Sequence, residues 1–398
     1  MRTSRALAAA LTTATLVLVA GAPTLPAAAA PTPSQAATRD LVLVGNNNDG
    51  TVSFVDATTF ATLFELDVKP DLAQRLAEMS VTERAAYEIV KLQMGGDKFV
   101  DDMAVSPDGR TLYASRSNLA DVAAFDIASR RLLWRTRVEG IRADHVVLSR
   151  DGARLFISAV TAKKVHAVDT ATGRITGSFP TGDYPHGMEL SPDGSRLYNG
   201  SIGTVPLPDW LDGLKGARVL TVVDPQSLRV LDTINLGGNR GIRPFQVTPD
   251  GRKIYAQLSF LHGLVEYDLD QRRITRQIDL PKRGGGLTMP TADYPNDSAH
   301  HGLSLTRDGR KLCAAATVSD YVAILSAPAL TVDRLIDVGD QPYWTTTSRD
   351  GRYCFVSNSL DDTLSVISYD TATEVARVPV GDYPQRLAAV SLPVDVLG

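Results

Sequence analysis

Six positions, each seven residues before the aspartate of an Asp-Gly pair, are occupied by Asp101, Asp144, His186, Arg243, His301 and Tyr343. Asp102, His145, His300 and Trp344 stand next to four of them, and Arg386 takes the matching place near the C-terminus. Small or apolar residues would serve a repeat that only had to fold. Imidazoles and carboxylates together suit a divalent metal, and His186, His301, Asp101 and Asp144 are the ligands this pattern suggests. Arg243 and Arg386 suit the carboxylate or phosphate of a ligand, with His145, His300, Trp344 and Asp102 as further contacts. With His186 or His301 as general base and Tyr343 as acid, the same set could remove a proton next to a carboxylate. Singly, each has a plainer account, as a solvated charge or a hydrogen-bonded histidine. The shared spacing argues for a shared site.

That spacing comes from a repeat. The phrase Ser-Pro-Asp-Gly-Arg-Thr-Leu-Tyr-Ala-Ser at Ser106–Ser115 returns, lightly varied, at Ser149–Ser158, Ser191–Gly200, Thr248–Gln257, Thr306–Ala315 and Ser348–Ser357. Its aspartates, Asp108, Asp151, Asp193, Asp250, Asp308 and Asp350, are separated by 43, 42, 57, 58 and 42 residues. The unit is therefore about 42 residues, with insertions in two gaps. Within a unit an apolar strand (Met103–Val105) meets Asp-Gly, a strong hairpin signal. Three more strands follow, at Thr111–Ala114, Val122–Asp126 and Leu132–Val138, alternating and bounded by turn residues. Four strands in such a period make a propeller blade. A seventh blade is split: Leu41–Gly45, Thr51–Asp56 and Thr62–Val68 lack a first strand, which Gln385–Leu392 supplies. The expected fold is all-β, a seven-bladed propeller of four-stranded antiparallel blades over residues 40–398. Its ring closes by pairing the C-terminal strand with the N-terminal blade, which removes an open edge.

In such a blade the Asp-Gly turns share one face. The three insertions, 69–98, 202–216 and 282–299, fall on the other, where the innermost strands begin. Long loops on a rigid scaffold are where binding concentrates. Ser80-Val-Thr-Glu83 reads as a capping box opening a helix over Arg84–Leu92. Trp210, between Pro208 and the rest of the second insertion, would present an aromatic ring to a ligand or wedge against a blade. Gly284–Gly286 lacks the strand-to-helix setting of a phosphate loop.

Ser-Pro-Asp-Gly-x-x-Leu-Tyr, the later Asn199 and Asn358, the Val-x-x-x-Asp strand and the closing Val-Gly resemble the YVTN-type repeat of secreted bacterial and archaeal seven-bladed propellers. The resemblance spans nearly the whole chain after its first forty residues. It implies the fold strongly and an activity weakly, since one scaffold hosts many functions. Propellers that look related include lactonases and lyases acting on lactone or uronate-bearing substrates.

Arg2, Arg5, the uncharged run Ala6–Ala20 and the small residues Ala27–Ala30 read as an export signal over 1–30, with 31–39 as a flexible leader. The apolar run is short for a membrane span, so a secreted protein without a transmembrane anchor is expected. Removing 1–30 deletes two arginines and no acids, shifting the formal charge from −4 to −6. That balance argues against a nucleic-acid partner. Cys313 and Cys354, in adjacent repeats, are offset so that they face opposite sides of their blades. They form an inter-blade disulfide if those sides meet, and two buried thiols are the simpler expectation. The chain has no Gly-x-Ser-x-Gly elbow, His-Glu-x-x-His helix, Cys-x-x-Cys or dinucleotide fingerprint. The leading expectation is a secreted propeller holding an anionic small molecule, glycan or protein partner at the channel mouth. The alternative is a lyase or lactone hydrolase at the same place, with a divalent metal as a candidate cofactor.

Overall fold

The computed structural model describes residues 37–236 and 238–398, so the expected export signal and most of the leader lie outside the described residues. Seven four-stranded antiparallel sheets are arranged in a ring. Blade one takes its innermost strand, Pro384–Pro393, from the C-terminus and its other three, Thr38–Asn46, Thr51–Asp56 and Thr62–Asp67, from the N-terminus. The innermost strands of blades two to seven are Asp102–Val105, Ala143–Leu148, Pro185–Leu190, Ile242–Val247, Gly302–Leu305 and Pro342–Thr347. Each lies against the innermost strand of the next blade, and Pro384–Pro393 lies between those of blades seven and two. Ring closure is the expected one, with Thr38 opposite Pro393 and Asn46 opposite Pro384.

Burial explains the composition of each strand. Second strands such as Thr111–Arg116 are buried at every position after the first because both faces of a blade pack on neighbours. Fourth strands such as Leu132–Arg137 lie at the rim and are mostly half-exposed. The core therefore sits between blades: Leu43, Val52, Phe54, Leu112, Ala123 and Phe125 fill the gap between blades one and two.

The repeated phrase has a local cause. Ser106 closes its loop by donating its N–H to the Thr111 carbonyl and accepting at its own carbonyl from Gly109 N–H, 2.9 and 2.8 Å. Its hydroxyl donates to Asp108 Oδ1 at 2.5 Å and accepts from Thr111 N–H at 2.9 Å. The same hydroxyl-to-aspartate bond recurs at Ser149, Ser191, Thr248, Thr306 and Ser348. Gly109 has φ of +71°, a conformation that costs a side chain. The Asp-Gly pair thus sits inside a longer loop and is not a two-residue hairpin.

The first insertion carries two helices, Leu72–Ala77 and Val81–Met94, of which the sequence reading found only the second. Ser80 and Glu83 do form the capping box. The glycine run becomes a short 3-10 turn, Gly284–Leu287. Among the described residues no helix is long and apolar enough to cross a membrane.

The cysteines correct the simpler expectation. Cys313 and Cys354 are joined in a disulfide with their Cα atoms 6.5 Å apart. They face opposite sides of their own blades, and those are the sides that meet between blades six and seven, where Ala315, Val322, Ile324 and Val356 surround them. The bond closes a 41-residue separation, for which loss of unfolded-state entropy gives about 4 kcal/mol. Replacing both cysteines by serine should lower the unfolding free energy measured in urea by that order. A loss below about 1 kcal/mol would show that the rest of the ring already fixes the two blades.

Candidate functional site

The starts of the innermost strands open into a cavity of about 240 Å³. Asp101, Asp144, His186, His301, Tyr343 and Arg386 line it, six of the seven residues at the repeated position. His145 and Trp344 join them. All three insertions contribute walls: Gln93 and Met94 from the helix Val81–Met94, Val205 and Pro206 from the second insertion, and Asn296 from the third. Ring and insertions therefore share one face, opposite the Asp-Gly loops.

Ion pairs rooted on buried cations hold the insertions there. Arg116 of blade two binds Asp121 through Nε and Nη2 at 2.7 and 2.8 Å, and reaches Asp71 of the first insertion through Nη1 at 2.5 Å. Arg75, almost wholly buried, donates to the Leu119 carbonyl at 2.7 Å. Arg218 grips Asp212 of the second insertion at 2.7 and 2.9 Å. Lys215 of the second insertion meets Asp297 of the third at 2.7 Å, so the two brace each other. Asn296 Nδ2 donates to the Tyr343 hydroxyl at 2.8 Å. Asn296 and Asp297 have φ of +49° and +61°. Two consecutive residues in this region are strained, and such strain persists only where surrounding contacts over-determine it. Their bonds to Tyr343 and Lys215 provide that.

Asp102 organises the cavity floor. Its carboxylate accepts from the backbone N–H of Met103 and Val146 at 2.7 and 2.9 Å, and from Arg386 Nε at 2.5 Å. His145 Nδ1 lies 3.2 Å from the same carboxylate. A proton on Nδ1 satisfies this contact and leaves the His145 Nε2 lone pair pointing away. Nε2 is 3.2 Å from His186 Nε2 and 3.3 Å from Asp144 Oδ1. The Arg386 guanidinium is sandwiched between Asp102 and the Trp344 ring, 3.4 Å from the ring centroid, and its Nη1 has no partner. His301 stacks on Tyr343 with ring centroids 4.3 Å apart.

Burial sets the protonation states. It pushes His145 and His186 well below the ordinary imidazole value, with nearby Arg386 reinforcing it. Both rings are neutral at pH 7. Burial, with Asp101 nearby, pushes Asp144 well above the usual carboxylate range. Burial also raises the Tyr343 phenol, which stays protonated at neutral pH.

Several candidates are placed differently from the sequence reading. Asp101 faces Arg142 at 3.3 Å and belongs to an ion pair, outside the cluster of ligand atoms formed by Asp144, His145 and His186. His301 is likewise outside that cluster, and His145 takes its place. Asp102 lies beneath the floor as a support for His145 and Arg386 and does not line the cavity. Arg243 does not line it either. Its Nε donates to Ser259 at 3.2 Å, both Nη atoms lack partners, and burial brings its pKa down to about 10. His300 is turned away, packed against His262 and Tyr321 with centroids 5.9 and 6.2 Å distant. Trp210 is 81% exposed and outside the cavity. The reading missed Arg142 and Tyr184, which line the cavity from just before the innermost strands of blades three and four. Counting only to the repeated position passed over them.

No family model matches the chain, and no curated protein matches it. The likeness to YVTN-type propellers rests on the repeat residues alone. Among solved structures, a chain titled hydrazine synthase from Kuenenia stuttgartiensis is similar with a TM-score of 0.45 and 17% identity, covering 68% of this chain and 95% of that one.

His300 provides a clean test of the burial argument. It is fully buried, neither ring nitrogen has a partner, and its pKa is held down to about 3. Below pH 6.5 the unfolded chain takes up a proton that the folded chain refuses, so stability falls with pH by about 1.4 kcal/mol per unit. Between pH 7 and pH 5 the native protein should lose about 2 kcal/mol more unfolding free energy than a His300→Gln variant. Equal losses would mean that His300 is reached by water or a partner in solution.

Proposed function

We propose that this chain is a secreted β-propeller that binds a compact, carboxylate-bearing molecule at its channel mouth. The observation that carries this reading is Arg386. Asp102 and Trp344 fix its guanidinium at the cavity floor, and Nη1 is left without a partner. A guanidinium already held flat loses little freedom when it meets a carboxylate. Arg142 offers a second positive group on the wall. The three insertions narrow the opening, and about 240 Å³ suits a small acid better than a glycan chain or a protein surface. Secretion is supported by the N-terminal run and by a disulfide, a bond that persists in oxidising compartments. On the same reading, the repeat residues group the chain with the YVTN-type propellers.

One arrangement favours a second reading, a lyase or lactone hydrolase. Asp102, His145 and His186 form a hydrogen-bonded series ending at the cavity, as a carboxylate orients an imidazole base in nucleophile-activating sites. Tyr343 accepts from Asn296, which leaves its own proton free for a leaving oxygen.

Calorimetric titration with D-galacturonate and D-galactose tests the first reading. The acid should bind and the neutral sugar should not, and Arg386→Ala should weaken the acid 10- to 100-fold, as loss of a charge-assisted hydrogen bond of about 1.5–3 kcal/mol requires. Arg386→Lys should recover part of the loss. Indifference to the carboxylate, or to both substitutions, would remove the proposal. Hydrolysis of galactono-1,4-lactone, followed by acid release and abolished in His186→Gln, would support the second reading.

A further inference from the structure

We propose that Asp144, His145 and His186 hold one divalent transition-metal ion at the cavity floor. Each offers one ligand atom, and the three atoms all lie within 4.8 Å of one another. Two separations are known more closely. His145 Nε2 is 3.2 Å from His186 Nε2 and 3.3 Å from Asp144 Oδ1. Ligands bound at 2.0–2.1 Å around a tetrahedral ion stand about 3.3 Å apart. The side chains are thus spaced as the edges of a metal's coordination shell, with residues of two adjacent innermost strands supplying the corners.

Two further features point to an ion. Asp144 is 3% exposed, and its Oδ1 has no hydrogen-bond partner. A buried carboxylate oxygen without a donor is costly, and a cation removes that cost. His145 has the supporting partner of a metal-bound imidazole, because Asp102 holds its Nδ1 at 3.2 Å. That contact fixes ring orientation and raises the basicity of Nε2. Asp102 is itself held by Arg386 and by two backbone N–H groups. With His145 protonated on Nδ1, its Nε2 accepts from His186 only if His186 carries its proton on Nε2. The other His186 tautomer, protonated on Nδ1, turns both Nε2 lone pairs toward the ion.

Two imidazoles and one carboxylate select zinc, iron, cobalt, nickel or manganese over calcium and magnesium, which prefer oxygen. Three protein ligands leave a position open, and it faces the cavity these residues line. This inference stands on the ligand geometry and does not require that a carboxylate bind beside it.

The test uses the purified full chain stripped with EDTA. Titration with ZnCl2 should show one ion per chain, and CoCl2 should produce visible d–d absorption from nitrogen and oxygen ligands. CaCl2 and MgCl2 should not compete at tenfold excess. His145→Gln and His186→Gln should abolish the cobalt spectrum. Asp102→Asn should weaken zinc 10- to 100-fold, the usual effect of losing a supporting partner. His300→Gln should bind as the native protein does. Near-UV circular dichroism confirms that each variant is folded. For a variant that is not, a zinc-dependent rise in native thermal midpoint, about 2.7 kcal/mol of stabilisation at 100-fold over Kd, gives an independent readout. Absence of stoichiometric zinc, or a cobalt spectrum unchanged in folded His186→Gln, would overturn the assignment. Galacturonate titration of the metal-free protein reads the anion proposal separately.

Discussion

The antiparallel ladder between Thr38–Asn46 and Pro384–Pro393 is the constraint on which the rest depends. It joins the two ends of the described chain and completes blade one, covering the edge that the strand Thr38–Asn46 would otherwise leave open. It also completes the site. Arg386 sits in the ladder opposite Gly45, so the same register that closes the ring delivers its guanidinium to Asp102 of blade two. A slip of one residue would turn Arg386 into the space between blades. Asn47 reinforces the register by bonding Gln385 and the Val100 N–H, which ties the first turn, the last strand and the first insertion's exit to one side chain.

The charges around that ladder are arranged for position more than for stability. Removing ions from water costs several kcal/mol each, and a buried pair often gains little over apolar residues of the same volume. Yet Asp102 is buried at the mouth against a half-buried Arg386, and Arg116, Asp121 and Arg75 are buried beneath the first insertion against a half-buried Asp71. Each group occupies a junction: blade one with blade two, and scaffold with insertion. A bidentate guanidinium fixes direction as well as distance, which an apolar contact does not. The insertions are therefore braced walls, and the strained pair Asn296 and Asp297 is held between Tyr343 and Lys215.

The fold was legible in the sequence because its signal is repeated. One Ser-Pro-Asp-Gly phrase would be an ordinary loop, whereas six related phrases on a unit of about 42 residues, twice lengthened by an insertion, leave a ring as the economical arrangement. The site was legible only to the level of a strand position. Counting seven residues back from each turn finds the cavity for Asp101, Asp144, His186, His301 and Tyr343, but Arg243 at the same count points elsewhere. His300 and His301 precede the strand Gly302–Leu305, and there the chain turns so that His301 lines the cavity while His300 is buried against Tyr321. On the strands themselves, where adjacent residues face opposite ways, alternation was not enough for the cysteines. It said that they face opposite sides of their blades, but which sides meet depends on the direction in which the ring winds. Arg142 and Tyr184 precede their strands, where backbone direction is set by the loop and no period marks it.

The seven strands are alike in backbone and unlike in chemistry, and the unlikeness is organised. Blades two, three and four contribute Asp102, Asp144, His145 and His186, the oxygen and neutral nitrogen donors. Blades seven and one contribute Tyr343, Trp344 and Arg386, an aromatic wall and a fixed positive charge. His145 and Trp344 meet across the boundary with ring centroids 5.5 Å apart, and Arg386 reaches back over it to Asp102. A molecule in the cavity thus meets Asp144, His145 and His186 from blades three and four, with Arg142 beside them already paired to Asp101, and the Arg386 guanidinium from blade one. That arrangement matches a small acid whose carboxylate faces Arg386 while its hydroxyl or carbonyl oxygen faces the imidazoles. Both proposals follow from this division of the ring, since an ion belongs on the first side and an anion on the second.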